Sequence, residues 1–308
     1  MNSFHNQGLI DVHALRVFAA VAEKLSFSRA AEALALTQSA VSHQIAKMER
    51  EFGVSLLNRD SRSVTLTPAG QKLLEHSKQV FRCINELTDA VKTASAPDQG
   101  RLRIGATAAA CQYILPDALR EFRECFPRYT LAITPGDSPL ISGSVLAGEI
   151  DLGIMILSDT RSKLQTYDLF DDDLGLVMNP LHPLATVDKI KPNDLAGQQM
   201  VLYTRTSATC RMIERHWSKL RLPIIDPIEL GSIEAIKELV KLGLGITVLA
   251  RWVVEPQIAD HSLIWRPLPG TKLRRKWVVA TTAQHVLSLA EKTFVELLKQ
   301  CSPVTAMG

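Results

Sequence analysis

The sequence is poor in the features that mark secreted and membrane proteins. Its five cysteines are an odd number in 308 residues, lie far apart and include no Cys-x-x-Cys pair, so neither a disulfide framework nor a zinc site is expected. No apolar run approaches the ~20 residues of a membrane helix, and the charged N-terminal segment is not typical of a secretory signal. These features predict a cytoplasmic protein with no membrane association.

Motifs of enzymes and cofactor sites are also missing. The GLG segment at 243–245 lacks the third glycine of a dinucleotide-binding loop, and the chain has no Gly-x-Ser-x-Gly and no clustered metal ligands. His182 has no evident catalytic partner. Cys111 and Cys125 are predicted to bracket one helix, which would separate them by roughly 21 Å. We therefore expect no catalysis, cofactor, metal or thiol switch.

Composition indicates a globular protein of more than one domain. Hydrophobic residues make up 46% of the chain and charged residues 22%, and at ~150 residues per domain the length suggests about two domains. The net charge of +3 permits nucleic-acid binding without indicating it. Helical spacing dominates residues 11–92, whereas short Val/Ile/Leu runs alternate with helical segments after a hinge at 95–100.

Three short helices are predicted in the first part. The spacing of apolar residues predicts helices at about 11–24 and 29–34, with Ser26 and Ser28 as candidate N-caps of the second. Thr37 can cap a third helix, in which Val41, Ile45, Met48 and Phe52 form one narrow apolar stripe. Two short helices joined by a turn are the layout of a helix-turn-helix.

The face opposite this stripe carries small polar and basic groups and no acidic residue. Such a face suits the major groove, where base edges offer donors and acceptors between phosphates. An ordinary solvated face fits the residue types equally well, and the helix-turn-helix context favours DNA. With a basic wing added, the candidate DNA-binding residues are Ser28, Arg29, Gln38, Ser39, Ser42, His43, Lys47, Arg59 and Arg62.

A hairpin and a long helix are predicted next. Strands at 54–57 and 63–66 would form a wing with Arg59 and Arg62 at its tip, where a solvated turn is the alternative to phosphate or minor-groove contact. A helix over about 70–92 then carries an apolar seam that is interrupted only by Ser77. Its length, roughly 36 Å for 24 residues, favours pairing of two chains over packing on its own domain. The candidate dimerisation residues are Leu73, Val80, Ile84, Leu87 and Val91.

The sequence after residue 100 predicts an open α/β sheet. Helical segments at 113–125, 233–242 and 288–300 alternate with strands at 102–104, 131–134, 152–155, 174–178, 200–203, 228–230, 246–250 and 277–280. Hydroxyl residues at strand-to-helix turns are natural anion sites, because helix N-termini offer unpaired N–H groups. Thr107, Ser138, Thr206 and Ser207 occupy such turns, where plain helix capping is the alternative. Arg205 could pair with a carboxylate or phosphate.

The chain resembles the LysR-type transcriptional regulators. The N-terminal signature is SFSRAAEAL at 26–34, TQSAVSHQI at 37–45 and VTLTPAG at 64–70, with Arg59 and Arg62 before the last segment. Further similarity covers nearly the whole chain and includes LRIG at 102–105, LAGEIDLGI at 146–154, HPL at 182–184 and LGLGI at 242–246.

This resemblance implies an α+β multidomain architecture. The winged helix-turn-helix would span 1–69, a dimerisation helix 70–94, and an effector domain of the type 2 periplasmic-binding-protein kind 101–303. Its subdomain I would comprise 101–172 and 275–303, and subdomain II 173–274, with Thr107, Ser138 and Ser207 lining the cleft between them.

The function implied is sequence-specific transcription regulation controlled by a small, anionic metabolite. The expected partners are double-stranded DNA, the effector, RNA polymerase and further copies of the chain in a homodimer or homotetramer. The rival interpretation is a solute-binding or enzymatic α/β protein with an appended dimerisation helix.

Overall fold

A computed structural model describes residues 11–60, 63–95, 99–157 and 164–302. The chain divides into two compact units, Met1–Ala90 and Val91–Gly308. No helix in the described part of the chain is long and apolar enough to span a membrane.

The first unit is a three-helix core with a two-stranded wing. Its elements are α1 (Val12–Lys24), α2 (Phe27–Leu34), α3 (Gln38–Phe52), β1 (Leu57–Asp60), β2 (Ser63–Leu66) and the start of α4 (Pro68–Ser95). The side-chain oxygens of Asp11, Ser26 and Thr37 cap α1, α2 and α3 by accepting backbone N–H groups. Because Ser26 caps α2, Ser28 lies inside that helix and is not its cap.

The first wing strand is displaced from its predicted position at 54–57. Gly53 ends α3 in the left-handed region at φ 68°, and Val54 is 49% exposed. A carboxylate oxygen of Glu49 accepts the N–H groups of Leu56 and Leu57, at 2.9 and 3.2 Å. This side-chain contact holds the preceding residues as a loop, so that β1 begins only at Leu57.

The second unit contains nine strands and seven α-helices in its described residues. The strands are β3 (Gln99–Ala106), β4 (Arg128–Pro135), β5 (Leu152–Ile156), β6 (Leu164–Met178), β7 (Val201–Tyr203), β8 (Ile228–Leu230), β9 (Thr247–Ala250), β10 (Ile264–Pro267) and β11 (Leu273–Thr282). The helices are α5 (Ala108–Tyr113), α6 (Leu115–Cys125), α7 (Ser138–Ala147), α8 (Ala208–Lys219), α9 (Ile233–Lys241), α10 (Glu255–Ala259) and α11 (Leu289–Gln300). Short 3-10 helices lie at Pro183–Thr186, Pro192–Leu195 and Arg251–Val253.

Two long antiparallel strands connect the two halves of this unit. β6 and β11 pair along most of their length, with a register shift between Trp277 and Val278. In the first half, β11 continues through β5 and β3 to β4. In the second half, the end of β6 pairs with β9 and β10, and a parallel bridge from Met200 to Ile246 connects β9 to β7 and β8. Buried apolar residues from both halves form one continuous core.

All eight predicted strands are present, but some boundaries differ. β6 begins at Leu164 and not at 174, because its first part is a polar segment paired with β11, and β10 was not predicted. The helix predicted at 113–125 is α6 and begins only at Leu115. Tyr113 is the last residue of a separate helix, α5, and Pro116 in the first turn of α6 has no N–H to continue α5. Cys111 and Cys125 therefore lie on different helices.

Candidate DNA-binding and effector-binding sites

Helix α3 buries three of the four residues of its predicted apolar stripe. Val41, Ile45 and Met48 are buried in the core of the first unit, whereas Phe52 at the end of the helix is 39% exposed, so the stripe prediction is wrong for Phe52. The described polar side chains on the other side include Gln38, Ser39, His43 and Lys47, all exposed, and Ser42, which is half-buried. Lys47 approaches Glu51 at 3.9 Å, one turn further along the helix.

The start of α2 lies beside the start of α3. Ser28 and Arg29 are exposed, and the Ser28 hydroxyl donates to Oε1 of Gln38 at 3.4 Å. Ala35 ends α2 in the left-handed conformation, and its N–H donates to carbonyls of the preceding turn. The turn therefore brings the predicted DNA-facing residues of both helices onto one exposed surface.

The predicted wing residues differ in what the structure describes. Arg59 lies within β1, opposite Val64 of β2, and not in the turn as predicted. The strands pair up to Asp60 and Ser63, so that β1 includes Asn58, Arg59 and Asp60, which were predicted to lie between the strands. Arg62 lies outside the described residues.

The apolar seam of α4 is divided between two environments. Leu73 packs against the core of its own unit, and Ser77 is buried, with its hydroxyl donating to the carbonyl of Leu73 at 2.7 Å. Val80 and Leu87 are 39% and 66% exposed, respectively. Leu73 therefore packs on its own unit, and pairing of two chains through the seam stays a prediction. The side chain of Val91 lies outside the described set.

A cavity of about 420 Å³ lies between the two halves of the second unit. Thr107, Ala109 and Ser138 line it from the first half, and Thr206 and Ser207 line it from the second. These segments follow strands of the two half-sheets, and the cavity is thus at the carboxyl ends of β3, β4 and β7, where open α/β sheets bind ligands.

Two of the predicted cleft hydroxyls also cap helices. Oγ1 of Thr107 accepts the N–H of Ala110 at 3.4 Å, and Oγ of Ser207 accepts the N–H of Cys210 at 3.0 Å. Capping and cavity lining, which the sequence presented as alternatives, are both present at these positions.

Ser138 has a different role, because Asp137 caps α7 by accepting the N–H of Leu140. The buried Ser138 hydroxyl accepts the N–H of Ile156 at 3.2 Å and so joins α7 to the end of β5. Ser138 therefore lines the cavity without being a helix cap.

Arg205 is outside the group that lines this cavity. Its side chain is 66% exposed and pairs with Glu229 at 2.6 Å. The position of Arg205 therefore does not support the prediction that it recognises an effector, because its exposed side chain pairs with Glu229 and does not line the cavity.

Another arginine, which sequence reasoning missed, lines the cavity. Arg275 of β11 lies opposite Asp172 of β6, and their side chains form a buried ion pair. Nε1 of Trp252 and Nε1 of Trp277 donate to Oδ2 of Asp172 at 2.9 and 3.1 Å. Nη1 of Arg275 donates to Oγ1 of Thr209 in α8, at 3.0 Å. The sequence signal was a single basic residue that alternates with apolar Leu273 and Trp277 along one strand.

A polar cluster also joins the two halves beside the cavity. In the first half, the Tyr113 hydroxyl and Nε2 of Gln112 donate to Glu234 of α9. Lys237 approaches the same carboxylate at 2.7 Å and lies 5.4 Å from the Tyr113 ring centroid. Burial alone would raise the pKa of Glu234, but hydrogen bonds from Lys237 and Tyr113 outweigh it and hold this pKa below its ordinary value.

His182 has a structural role. Its Nδ1 accepts the N–H of Leu184 at 3.2 Å and caps the 3-10 helix that follows. Burial lowers the pKa of His182. Within the described residues, no group of three or more His, Cys, Asp or Glu side chains could hold a metal ion.

Comparison with known proteins gives matches over nearly the whole chain. The chain is 29% identical over 287 residues to the HTH-type transcriptional activator CmpR of Synechocystis sp., covering 93% of this chain and 94% of CmpR. A full-length OxyR variant from Pseudomonas aeruginosa has the same fold, with a TM-score of 0.69, 21% identity and 96% coverage of both chains. CbnR in complex with its target DNA gives a TM-score of 0.63 at 20% identity, covering 95% of this chain and all of CbnR.

Two family models together match most of the sequence. The bacterial regulatory helix-turn-helix protein model of the lysR family matches residues 12–71, and the LysR substrate binding domain model matches residues 95–302. Both matches agree with the exposed face of α3 and the cavity of the second unit. The chain belongs to the LysR family of transcriptional regulators, DNA-binding proteins that carry an effector-binding domain and are not enzymes.

Proposed function

We propose that this regulator reads a two-fold-related operator as a dimer and responds to a small anionic effector. The polar face of α3 carries this proposal, because Gln38, Ser39, His43 and Lys47 are exposed while the opposite side of the helix is packed into the core. Exposed hydrogen-bonding side chains on one helix face can reach base edges in a major groove.

The remaining DNA contacts would surround this face. Ser28 and Arg29 lie beside the start of α3 and would contact phosphates, and Ser42 would support base reading from its half-buried position. Arg59 and Arg62 of the wing would bind the backbone or the minor groove.

The dimer would form through the outer part of α4, from Val80 onwards. Val80, Ile84, Leu87 and Val91 continue a heptad pattern beyond the region that packs on the first unit. A second copy would cover the exposed Leu87 and present a second α3 to a two-fold operator. Assembly into a tetramer and contact with RNA polymerase would complete the regulatory complex.

The effector would bind in the cavity of the second unit. The chain would function as a DNA-binding domain at 1–69, a dimerisation helix at 70–94, a hinge at 95–100 and an effector-binding domain at 101–303. Within the effector-binding domain, subdomain I would comprise 101–172 and 275–303, and subdomain II 173–274. Thr107, Ser138, Thr206 and Ser207 supply polar groups from both subdomains. An effector that binds one arrangement of the subdomains more tightly would shift the population towards it and so change regulation.

Selection of genomic fragments by the purified protein tests the DNA-binding part of this proposal. We expect binding that weakens with rising salt. His43→Ala should lower affinity for a selected fragment by ~1–3 kcal/mol and leave non-specific binding nearly unchanged. Gln71→Ala, an exposed residue of α4, is the matched control. Equal weakening on random DNA would reject base reading by His43, and no DNA binding at all would favour the solute-binding alternative.

A further inference from the structure

Arg275 occupies an unusual position for a fully charged residue. It lies where β6 and β11 pass between the two halves of the second unit, and its side chain is only 6% exposed. The same side chain lines the cavity together with Trp277 and Thr209. It is thus a buried cation on the wall of the proposed effector site.

The guanidinium group retains donor capacity beyond its contacts in the described part of the chain. Nε and Nη2 donate to Asp172, and Nη1 donates to Thr209. A guanidinium has five N–H groups in a planar fork, so one further N–H on Nη1 and one on Nη2 are available. These two groups form the end of the fork that is suited to bidentate binding of an oxyanion.

The carboxylate partner holds this fork in one orientation. Asp172 accepts two N–H groups from Arg275 and one from each of Trp252 and Trp277. A carboxylate with four donors around it is fixed, and it fixes the plane of the guanidinium in turn. The binding geometry therefore exists before a ligand arrives, which lowers the entropic cost of binding.

The helix N-terminus beside Arg275 also favours an anion at this point. Among the described residues that line the cavity, Arg275 and Asp137 carry the formal charges. The Asp137 carboxylate accepts the N–H of Leu140 at the start of α7. Arg275, by contrast, lies next to the N-terminal turn of α8, whose unpaired N–H groups add positive potential.

We propose that Arg275 is the anion-binding residue of the effector site and that it recognises a carboxylate or phosphate group. This inference rests on the proposed effector function. The ligand oxyanion would accept the remaining N–H groups of Nη1 and Nη2, next to the Nη1 contact with Thr209. Because Thr209 belongs to α8 in the second half, the ligand would lie at the contact between α8 and the strands that join the halves.

Titration of the full chain with inorganic phosphate and with succinate at constant ionic strength tests the proposal. Thermal shift and the fluorescence of Trp252 and Trp277, both hydrogen-bonded to Asp172, are the readouts. We expect saturable binding of at least one probe to the wild-type protein, and the probe that binds identifies phosphate or carboxylate as the preferred group. Absence of saturable binding by both probes overturns the proposal.

Variants then assign the binding to Arg275. The double variant Arg275→Gln with Asp172→Asn keeps a neutral, hydrogen-bonding pair and should weaken binding at least about tenfold. Arg274→Gln, a neighbouring exposed arginine that pairs with Asp173, is the matched control and should bind like the wild type. If the double variant does not fold, Arg275→Lys keeps the charge, removes the planar fork and should also weaken binding about tenfold.

Two further results separate this inference from the proposed function. If the double variant folds and binds the probe as tightly as the wild type, Arg275 does not have the proposed role. Arg275→Lys replaces the double variant in this test if the double variant does not fold. This conclusion holds even if the variants bind a selected DNA fragment normally. Loss of DNA binding by the wild-type protein would instead reject the proposed function.

Discussion

Individual hydroxyl groups in the cavity have two roles that can be separated by mutation. Thr107 and Ser207 each accept a backbone N–H at a helix start and also line the cavity. Ser232 caps α9 in the same way, accepting the N–H of Ala235 at 3.4 Å, but is not among the residues that line the cavity. The cap of α9 therefore offers an internal control for the caps of α5 and α8.

Thr107→Val and Ser207→Ala should reduce both stability and effector binding. Loss of a cap typically costs about 0.5–2 kcal/mol, which would be seen in chemical denaturation. Ser232→Ala should lose a similar amount of stability and keep the affinity for the anion that the wild-type protein binds. Unchanged anion affinity in the two cavity variants would leave Thr107 and Ser207 as helix caps alone.

Glu291 contributes to the pH dependence of the stability of the fold. Burial would raise the pKa of its carboxyl, but the hydrogen bond and charge of His285 and the hydrogen bonds from Ser288 hold this pKa below its ordinary value. A carboxyl with a lowered pKa stabilises the folded state above its unfolded pKa, about 4.5. That stabilisation is lost as the pH falls through the folded pKa.

Glu291→Gln should therefore lower the melting temperature at neutral pH. The melting temperature of the variant should then decrease less than that of the wild type as the pH is lowered below about 4.5. Thermal unfolding followed over a pH series measures both effects. Glu296→Gln is the control, because Glu296 is on the same helix in an exposed pair with Lys299 and exposed pairs contribute little. If the melting temperature of Glu291→Gln decreases as steeply with acid as that of the wild type, Glu291 does not contribute to the pH dependence of stability.

Among the secondary-structure elements, α3 and β6 differ in how far the sequence predicted them. The stripe of Val41, Ile45 and Met48 identified both faces of α3, since a helix face depends only on local spacing. The first part of β6 was missed because its polar residues are paired by β11 from far along the chain. Arg275 was missed for the same reason: its contact with Asp172 depends on strand register, whereas Thr107 was found from a hydroxyl at a local turn.

The outer part of α4 can be tested as the dimer contact. Leu87 is 66% exposed, so that Leu87→Glu should cost little within one chain. In a paired apolar seam it would place two like charges together and should favour monomers by several kcal/mol. Sedimentation of the full chain measures this, with Gln71→Glu on the same helix as control. A dimer of unchanged stability in Leu87→Glu would place the contact elsewhere.

For the second unit as a whole, the contact between Glu234 and Tyr113 connects effector binding to the arrangement of the halves. Glu234 belongs to α9 in the second half and Tyr113 to α5 in the first. The contact does not involve a residue that lines the cavity. The arrangement that it stabilises is the one in which Thr107 and Ser207 face a common cavity, so removing it should lower the population able to bind.

Tyr113→Phe removes the hydroxyl and keeps the aromatic packing against Trp252, whose ring centroid is 5.7 Å away. We expect a few-fold weaker apparent affinity for the bound anion, because this affinity falls with the fraction of the chain in the competent arrangement. Glu238→Gln, at an exposed residue that pairs with Lys241 on the same helix, should have no effect, because this pair does not join the two halves. An unchanged affinity in Tyr113→Phe would mean that the Tyr113 hydroxyl does not help to hold the halves together, since the hydroxyl is the only group that the substitution removes.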